Sequence, residues 1–194
     1  VEGVALGPDV QAEALLLDGQ QRLTSLTQAL THNGVVDTTD SRGKRMQRRY
    51  YVDMDLALLG EDRIDEAVVS MPGDGIERAN FGKDIVRDLS TPELEQEAGM
   101  FPVRLLYESA GAMSWLFAMD DRDTAGRFQE AIIAPALTYN IPAIELDNST
   151  SKAAVATVFE KVNTGGLALN VFELLTATFA GDRDYFEQHG TDFR

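Results

Sequence analysis

Two stretches of this sequence place polar, basic and glycine residues where a phosphate could be held. The first runs Leu15-Leu16-Leu17-Asp18-Gly19-Gln20-Gln21-Arg22-Leu23-Thr24. A run of buried-strand type, Ala12 to Leu17, meets an Asp-Gly turn and then the start of a helix. Amides at a helix N-terminus point outward with partial positive charge, so such a junction receives anions readily. Arg22, in the first helical turn, carries a planar fork that fits a phosphate. Gln20 and Gln21 offer donors and acceptors to a polar ligand. Asp18 has the chemistry to hold a magnesium ion or to orient a water. The same residues also have a purely structural reading. Asp18 and Gln21 stand at the spacing of a capping box, and Gly19 suits any tight turn.

The second stretch runs Phe159-Glu160-Lys161-Val162-Asn163-Thr164-Gly165-Gly166-Leu167-Ala168-Leu169. Adjacent glycines let the backbone curl so that successive amides converge on an anion. Asn163 and Thr164 add side-chain donors. A glycine helix cap with nothing bound explains the same letters.

A third segment, Ser41 to Tyr51 (SRGKRMQRRYY), concentrates basic residues in a chain whose net charge is −15. Arg45, Arg48 and Arg49 could contact DNA phosphates beside tyrosines able to stack. The plainer reading is a solvated strand-entry loop. The overall charge opposes contact with nucleic acid by the chain as a whole.

DGQQRLTSL near the start and FEKVNTGGLALNVFELL near the end are matched in order, and together they resemble the N-terminal domain of the GmrSD family of modification-dependent restriction and phage-defence proteins. That domain belongs to the ParB and sulfiredoxin-like superfamily. The resemblance spans about residues 12–180 and implies an α+β fold, a small mixed sheet with helices followed by a helical portion. It implies that Asp18 and Arg22 take part in binding and hydrolysis of a nucleoside triphosphate with Mg2+. Gly19, Gln20, Gln21, Asn163, Thr164, Gly165 and Gly166 would help to bind that nucleotide. It further implies an HNH-type nuclease domain on the same or a partner chain, and DNA as the target of the full-length protein. The alternative is a non-catalytic sensor that binds modified DNA or a protein partner. The family's aromatic-rich N-terminal segment, expected before the first strand, is missing here or lies outside this stretch of chain. The turn also lacks the cysteine of sulfiredoxins.

The elements that must position these residues follow from local pattern. Leu23, Leu26, Thr27 and Leu30 form one helical face over about Gln20 to His32, stopped by Asn33-Gly34. Tyr50 to Leu59 begins as a strand and breaks at Gly60, and Ala67 to Met71 is a second strand closed by Pro72-Gly73-Asp74-Gly75. Asp53 and Asp55 flank Met54 on the first of these, so both point to one face. Residues 76–100 are polar, with Thr91-Pro92-Glu93 opening a short helix. Ser109 to Leu137 reads as two helices divided near Asp120 to Asp123, with Trp115 in the core. Ile141 to Leu146 reads as a short strand, Ser151 opens a helix to about Val162, and Asn170 caps a last one. The expected domain is single and spans 1–194, with strands mainly in 12–71 and helices mainly in 109–180. Without an initiator Met, it is expected to be part of something longer at both ends.

Absences narrow the chemistry. No cysteine means no disulfide framework, thiolate catalysis or Cys-based zinc, and suits a reducing cytoplasm. There is no GxxxxGK[ST] or G-x-S-x-G sequence. His32 and His189 are the only histidines, so no HNH centre can be built, and His32 is read as closing its helix. No apolar run is long enough for a membrane span, and the N-terminus is not a signal peptide.

Overall fold

The computed structural model describes Leu16, residues 19–147, 149–151, 153–155, 157 and 158. Among these, residues 22–140 form one compact unit and the remainder belong to a second. Helix α1, Gln20–Leu30, starts where the periodicity places it. Two residues after it the chain turns, with His32 and Gly34 both at positive φ (54° and 68°). The Gly34 amide donates back to the Thr31 carbonyl at 3.0 Å.

Strand β1 (Val36–Thr39) and strand β2 (Arg45–Asp53) form an antiparallel hairpin. Asp40 organises its turn, accepting from the amides of Arg42 and Lys44, each at 2.9 Å. Arg45, Arg48 and Arg49 therefore lie in β2 itself and not in a strand-entry loop. β2 is the central strand. Strand β3 (Val68–Pro72) runs along one edge, while β1 and strand β6 (Met100–Pro102) share the other, every ladder being antiparallel.

Between β2 and β3 stand two short helices, α2 (Met54–Ala57) and α3 (Ile64–Ala67). These correct the reading of Asp53 and Asp55 as paired carboxylates on a strand face. β2 ends at Asp53, whose side chain caps α2 by accepting from the Leu56 amide at 3.0 Å, and Asp55 sits in the first turn of that helix. The polar stretch after β3 holds an unexpected hairpin, β4 (Ile76–Ala79) with β5 (Asp84–Asp88). Helix α4, Pro92–Glu97, has the predicted start, with Thr91 as N-cap and proline in the first turn.

Helix α5 (Ser109–Ala118) and helix α6 (Arg122–Phe128) divide at the expected place, because Asp121 caps α6 through the Thr124 amide at 3.0 Å. A π-helical turn, Gln129–Ile133, leads into α7, Ala134–Thr138. Successive residues of β2 point to opposite faces, so Val52 and Tyr51 enter different clusters. Val52 packs with Phe101, Trp115, Leu116 and Phe128, while Tyr51 joins Met71, Leu89 and Met100. Phe101 meets Trp115 edge-on at 5.3 Å between ring centres and Phe128 at 5.2 Å. The α+β class is thus realised with a four-stranded and a two-stranded antiparallel sheet among the described residues.

In the second unit, Ile141 to Leu146 is not a strand. No strand ladder reaches it among the described residues, and Ile144 stays 69% exposed. Apolar letters alone do not make a strand without a hydrogen-bonding neighbour. Leu16, the described residue of the expected first strand, is also outside any strand and 45% exposed. Ser151 does open a helical turn, its Oγ accepting from the Ala154 amide at 3.3 Å.

Candidate functional site

Gly19 stands immediately before α1 with φ of 84°, the left-handed region that favours glycine. Gln20, Gln21 and Arg22 follow as the first helical turn, all three exposed. No acidic residue occupies that turn. The outward-facing amides of α1 and the Arg22 side chain thus share one turn of backbone. α1 has 11 residues, long enough for its peptide dipoles to add along the axis. Asp18, the proposed magnesium residue and cap, lies outside the described residues, as do Asn163, Thr164, Gly165 and Gly166 and the Asn170 helix.

The three β2 arginines differ in their surroundings. Arg45 is exposed at the start of the strand. Arg48 is bound to β3: its Nε donates to Ser70 Oγ at 2.9 Å and its Nη2 to the Ser70 carbonyl at 3.1 Å. Arg49 points to the opposite face, together with Tyr51 and Met71, and its Nε–H is buried without a partner.

That face leads to a polar cluster that the letters do not reveal. Glu95, on α4, is 3% exposed and is the one charged residue that is fully buried among the described residues. Trp115 Nε1 donates to its Oε2 at 3.1 Å, and Gln96 Nε2 donates to the Trp115 carbonyl at 3.0 Å. The Tyr51 hydroxyl donates to the Leu89 carbonyl at 3.1 Å. Burial pushes the Glu95 carboxyl above its usual range, against the opposing pull of the Trp115 bond and of Arg104, Tyr51 and Arg49. Burial, and then the charge of Glu95, push the Tyr51 hydroxyl up as well. In the sequence Glu95 belongs to PELEQE, which reads as a solvated short helix; its only hint is that Trp115 needs an N–H acceptor once buried.

The acidic side chains do not gather into a metal centre: no group of three or more His, Asp or Glu is placed to hold an ion among the described residues. Nor is any described helix long and apolar enough to cross a membrane.

Comparison with known proteins places this chain in a family. The chain is 29% identical over 171 residues to an uncharacterized protein of Methanocaldococcus jannaschii, an alignment that covers 85% of this chain and 27% of the relative. The chain thus spans about a quarter of that relative's length. No solved structure matches it. The family model for the GmrSD restriction endonuclease N-terminal domain matches residues 4–180, nearly the whole chain and both glycine-bearing motifs. The chain therefore belongs to the GmrSD restriction endonuclease N-terminal domain family.

Proposed function

We propose that this chain is the nucleotide-binding regulatory domain of a DNA restriction or phage-defence protein. It binds a nucleoside triphosphate with Mg2+ at the Asp18–Arg22 turn and so gates an HNH-type nuclease domain on the same or a partner chain. The observation that carries this reading is the start of α1: a left-handed Gly19 followed by an acid-free first turn containing Arg22. Donors and a fork of positive charge together suit phosphate oxygens.

In this scheme the α1 amides and Arg22 neutralise charge on the phosphates, Gln20 and Gln21 orient them, and Asp18 holds the metal or the attacking water. The family resemblance adds Asn163, Thr164, Gly165 and Gly166 to the residues that would help to bind the nucleotide. Catalysis would rest on positioning and charge neutralisation, as phosphoryl transfer generally does.

The test is thermal unfolding of the chain with ATP, GTP, CTP or UTP, each with and without Mg2+. A ligand at 100 times its dissociation constant stabilises by about 2.7 kcal/mol. At about 2–4 °C per kcal/mol for this chain length, the melting point should rise by roughly 5–11 °C. The rise should disappear in Arg22→Ala. Phosphate release in the same samples then separates a hydrolase from a switch that only binds. If no nucleotide shifts either the chain or its longer natural form, the reading fails.

A further inference from the structure

Arg49 and Arg104 come together on a small cleft that uses none of the residues of the Asp18–Arg22 turn. Asn33, Gly34, Arg49, Tyr51, Pro102 and Arg104 line it. The contributing segments are the turn after α1, the central strand β2, and β6 with the residue two beyond its end. The whole cleft lies within residues 22–140.

The charges in it do not balance. The buried carboxylate of Glu95 feels both arginines and bonds to Trp115 and Tyr51, the latter also in contact with Arg49, while neither guanidinium is within ion-pair distance of a carboxylate among the described residues. Two cations against one carboxylate leave one positive charge over, in a chain whose net charge is −15. The buried Arg49 Nε–H also lacks an acceptor. A buried donor left unmade costs free energy, and an anionic oxygen is the acceptor that would satisfy it best.

The backbone is shaped for close approach. Gly34 has φ of 68°, and a Cβ there would stand 2.8 Å from Arg104 Cβ, so only glycine lets this turn lie against the arginine stem. Asn33 uses its Oδ1 to accept from the Val35 amide at 3.1 Å, which leaves its Nδ2 as a further donor. The enclosed part of the cleft has room for about one water, so an anion would meet the two guanidinium groups at its open mouth, and no base with its sugar would fit inside.

We infer that this cleft binds a single phosphate group through Arg49 and Arg104. The group could be inorganic phosphate or one phosphate of a nucleic-acid backbone, and the chemistry of recognition is the same for both.

The experiment has two arms, each run on the intact chain. In the first, inorganic phosphate is compared with chloride at equal ionic strength by thermal unfolding. In the second, a labelled short DNA duplex is titrated by fluorescence anisotropy. Phosphate should raise the melting point over chloride, and Arg104→Gln should weaken phosphate binding roughly tenfold, the loss of a charged hydrogen bond. Arg127→Gln, at an exposed arginine of α6 outside the cleft, should leave it unchanged. A duplex that binds, and loses about one unit of salt slope in Arg104→Gln, assigns the phosphate to nucleic acid. A response to inorganic phosphate alone assigns it to the free ion. Both arms are repeated in an Arg22→Ala background, where the Asp18–Arg22 turn is disabled and the effect of Arg104→Gln reports on the cleft alone, so failure of the nucleotide reading and failure of this one are distinguishable. If Arg104→Gln does not fold, Arg104→Lys keeps the charge, loses the fork, and should still bind more weakly. Equal responses in the wild type and both Arg104 variants, or none in the wild type, overturn the proposal.

Discussion

Replacing Glu95 tests whether the buried cluster behind β2 is built as described. The carboxylate is 3% exposed and accepts from Trp115 Nε1 at 3.1 Å. Glu95→Ala leaves that indole N–H buried without an acceptor, a cost of about 1–3 kcal/mol. It also removes buried methylene surface worth about 0.8 kcal/mol per group. Release of the desolvated charge offsets part of this, so a net loss of about 3 kcal/mol is expected. For a chain of this length that lowers the melting point by roughly 6–12 °C. Glu95→Gln keeps an oxygen for Trp115 and loses only the charge, so its loss should be smaller by about half or more.

The two variants also separate by pH. The folded carboxyl has its pKa raised above the ordinary 4.5, chiefly by burial, so the folded state holds this proton more tightly than the unfolded state does. The contribution to stability is fully present below the unfolded value and is lost as pH rises through the folded value. The wild type should therefore lose ground to Glu95→Gln as pH rises above the ordinary 4.5 and through the raised folded value. Urea unfolding of both proteins across that range measures the difference directly. A constant gap at every pH, or an alanine variant as stable as the wild type, would refute the placement of Glu95 in a desolvated cluster.

Two further outcomes concern backbone geometry. Gly75 and Gly43 share a φ of 78°, but a Cβ at Gly75 would meet the Leu89 carbonyl oxygen at 2.7 Å, while one at Gly43 meets nothing within 4 Å. Gly43→Ala should cost about 1–2 kcal/mol, the left-handed penalty alone, and Gly75→Ala clearly more; equal losses in urea unfolding would contradict the close packing of the β3–β4 turn. Phe81 is fully exposed at the tip of the β4–β5 hairpin with φ of 59°. Phe81→Asn should stabilise by about 0.5–1 kcal/mol, since asparagine tolerates this conformation better, and a drop in melting point would show that the phenylalanine has a packing role.

Much of the fold was legible because its signals are local. The face Leu23, Leu26, Thr27 and Leu30 marked α1, and Asn33-Gly34 marked its end. Thr91-Pro92 announced α4, and Asp121 divided α5 from α6. Tyr50 to Leu59, read as beginning as a strand, and Ala67 to Met71 contain parts of β2 and β3, which pair, although β2 ends at Asp53 and a helix follows it. Caps, glycine turns and side-chain periodicity act within a few residues, so the letters carry them. The GmrSD family was equally legible, through two motifs whose residues stand close together in the chain.

Tertiary structure decided the rest. The β4–β5 hairpin is polar in sequence and exists because its strands pair with each other, with Asn80 Nδ2 bonded to Asp84 Oδ2 across the turn. Ile141 to Leu146 is apolar yet has no strand neighbour, so its letters misled. Asp53 and Asp55 appeared paired until β2 ended in a helix cap. Glu95 meets Trp115 across twenty positions, and Arg49 meets Arg104 across more than fifty, at distances in sequence where no periodicity reaches. Sequence by itself determined the family and those elements that caps, turns and periodicity mark, because these depend on neighbours along the chain. Only the fold decided which charges are buried together, because burial depends on neighbours in space.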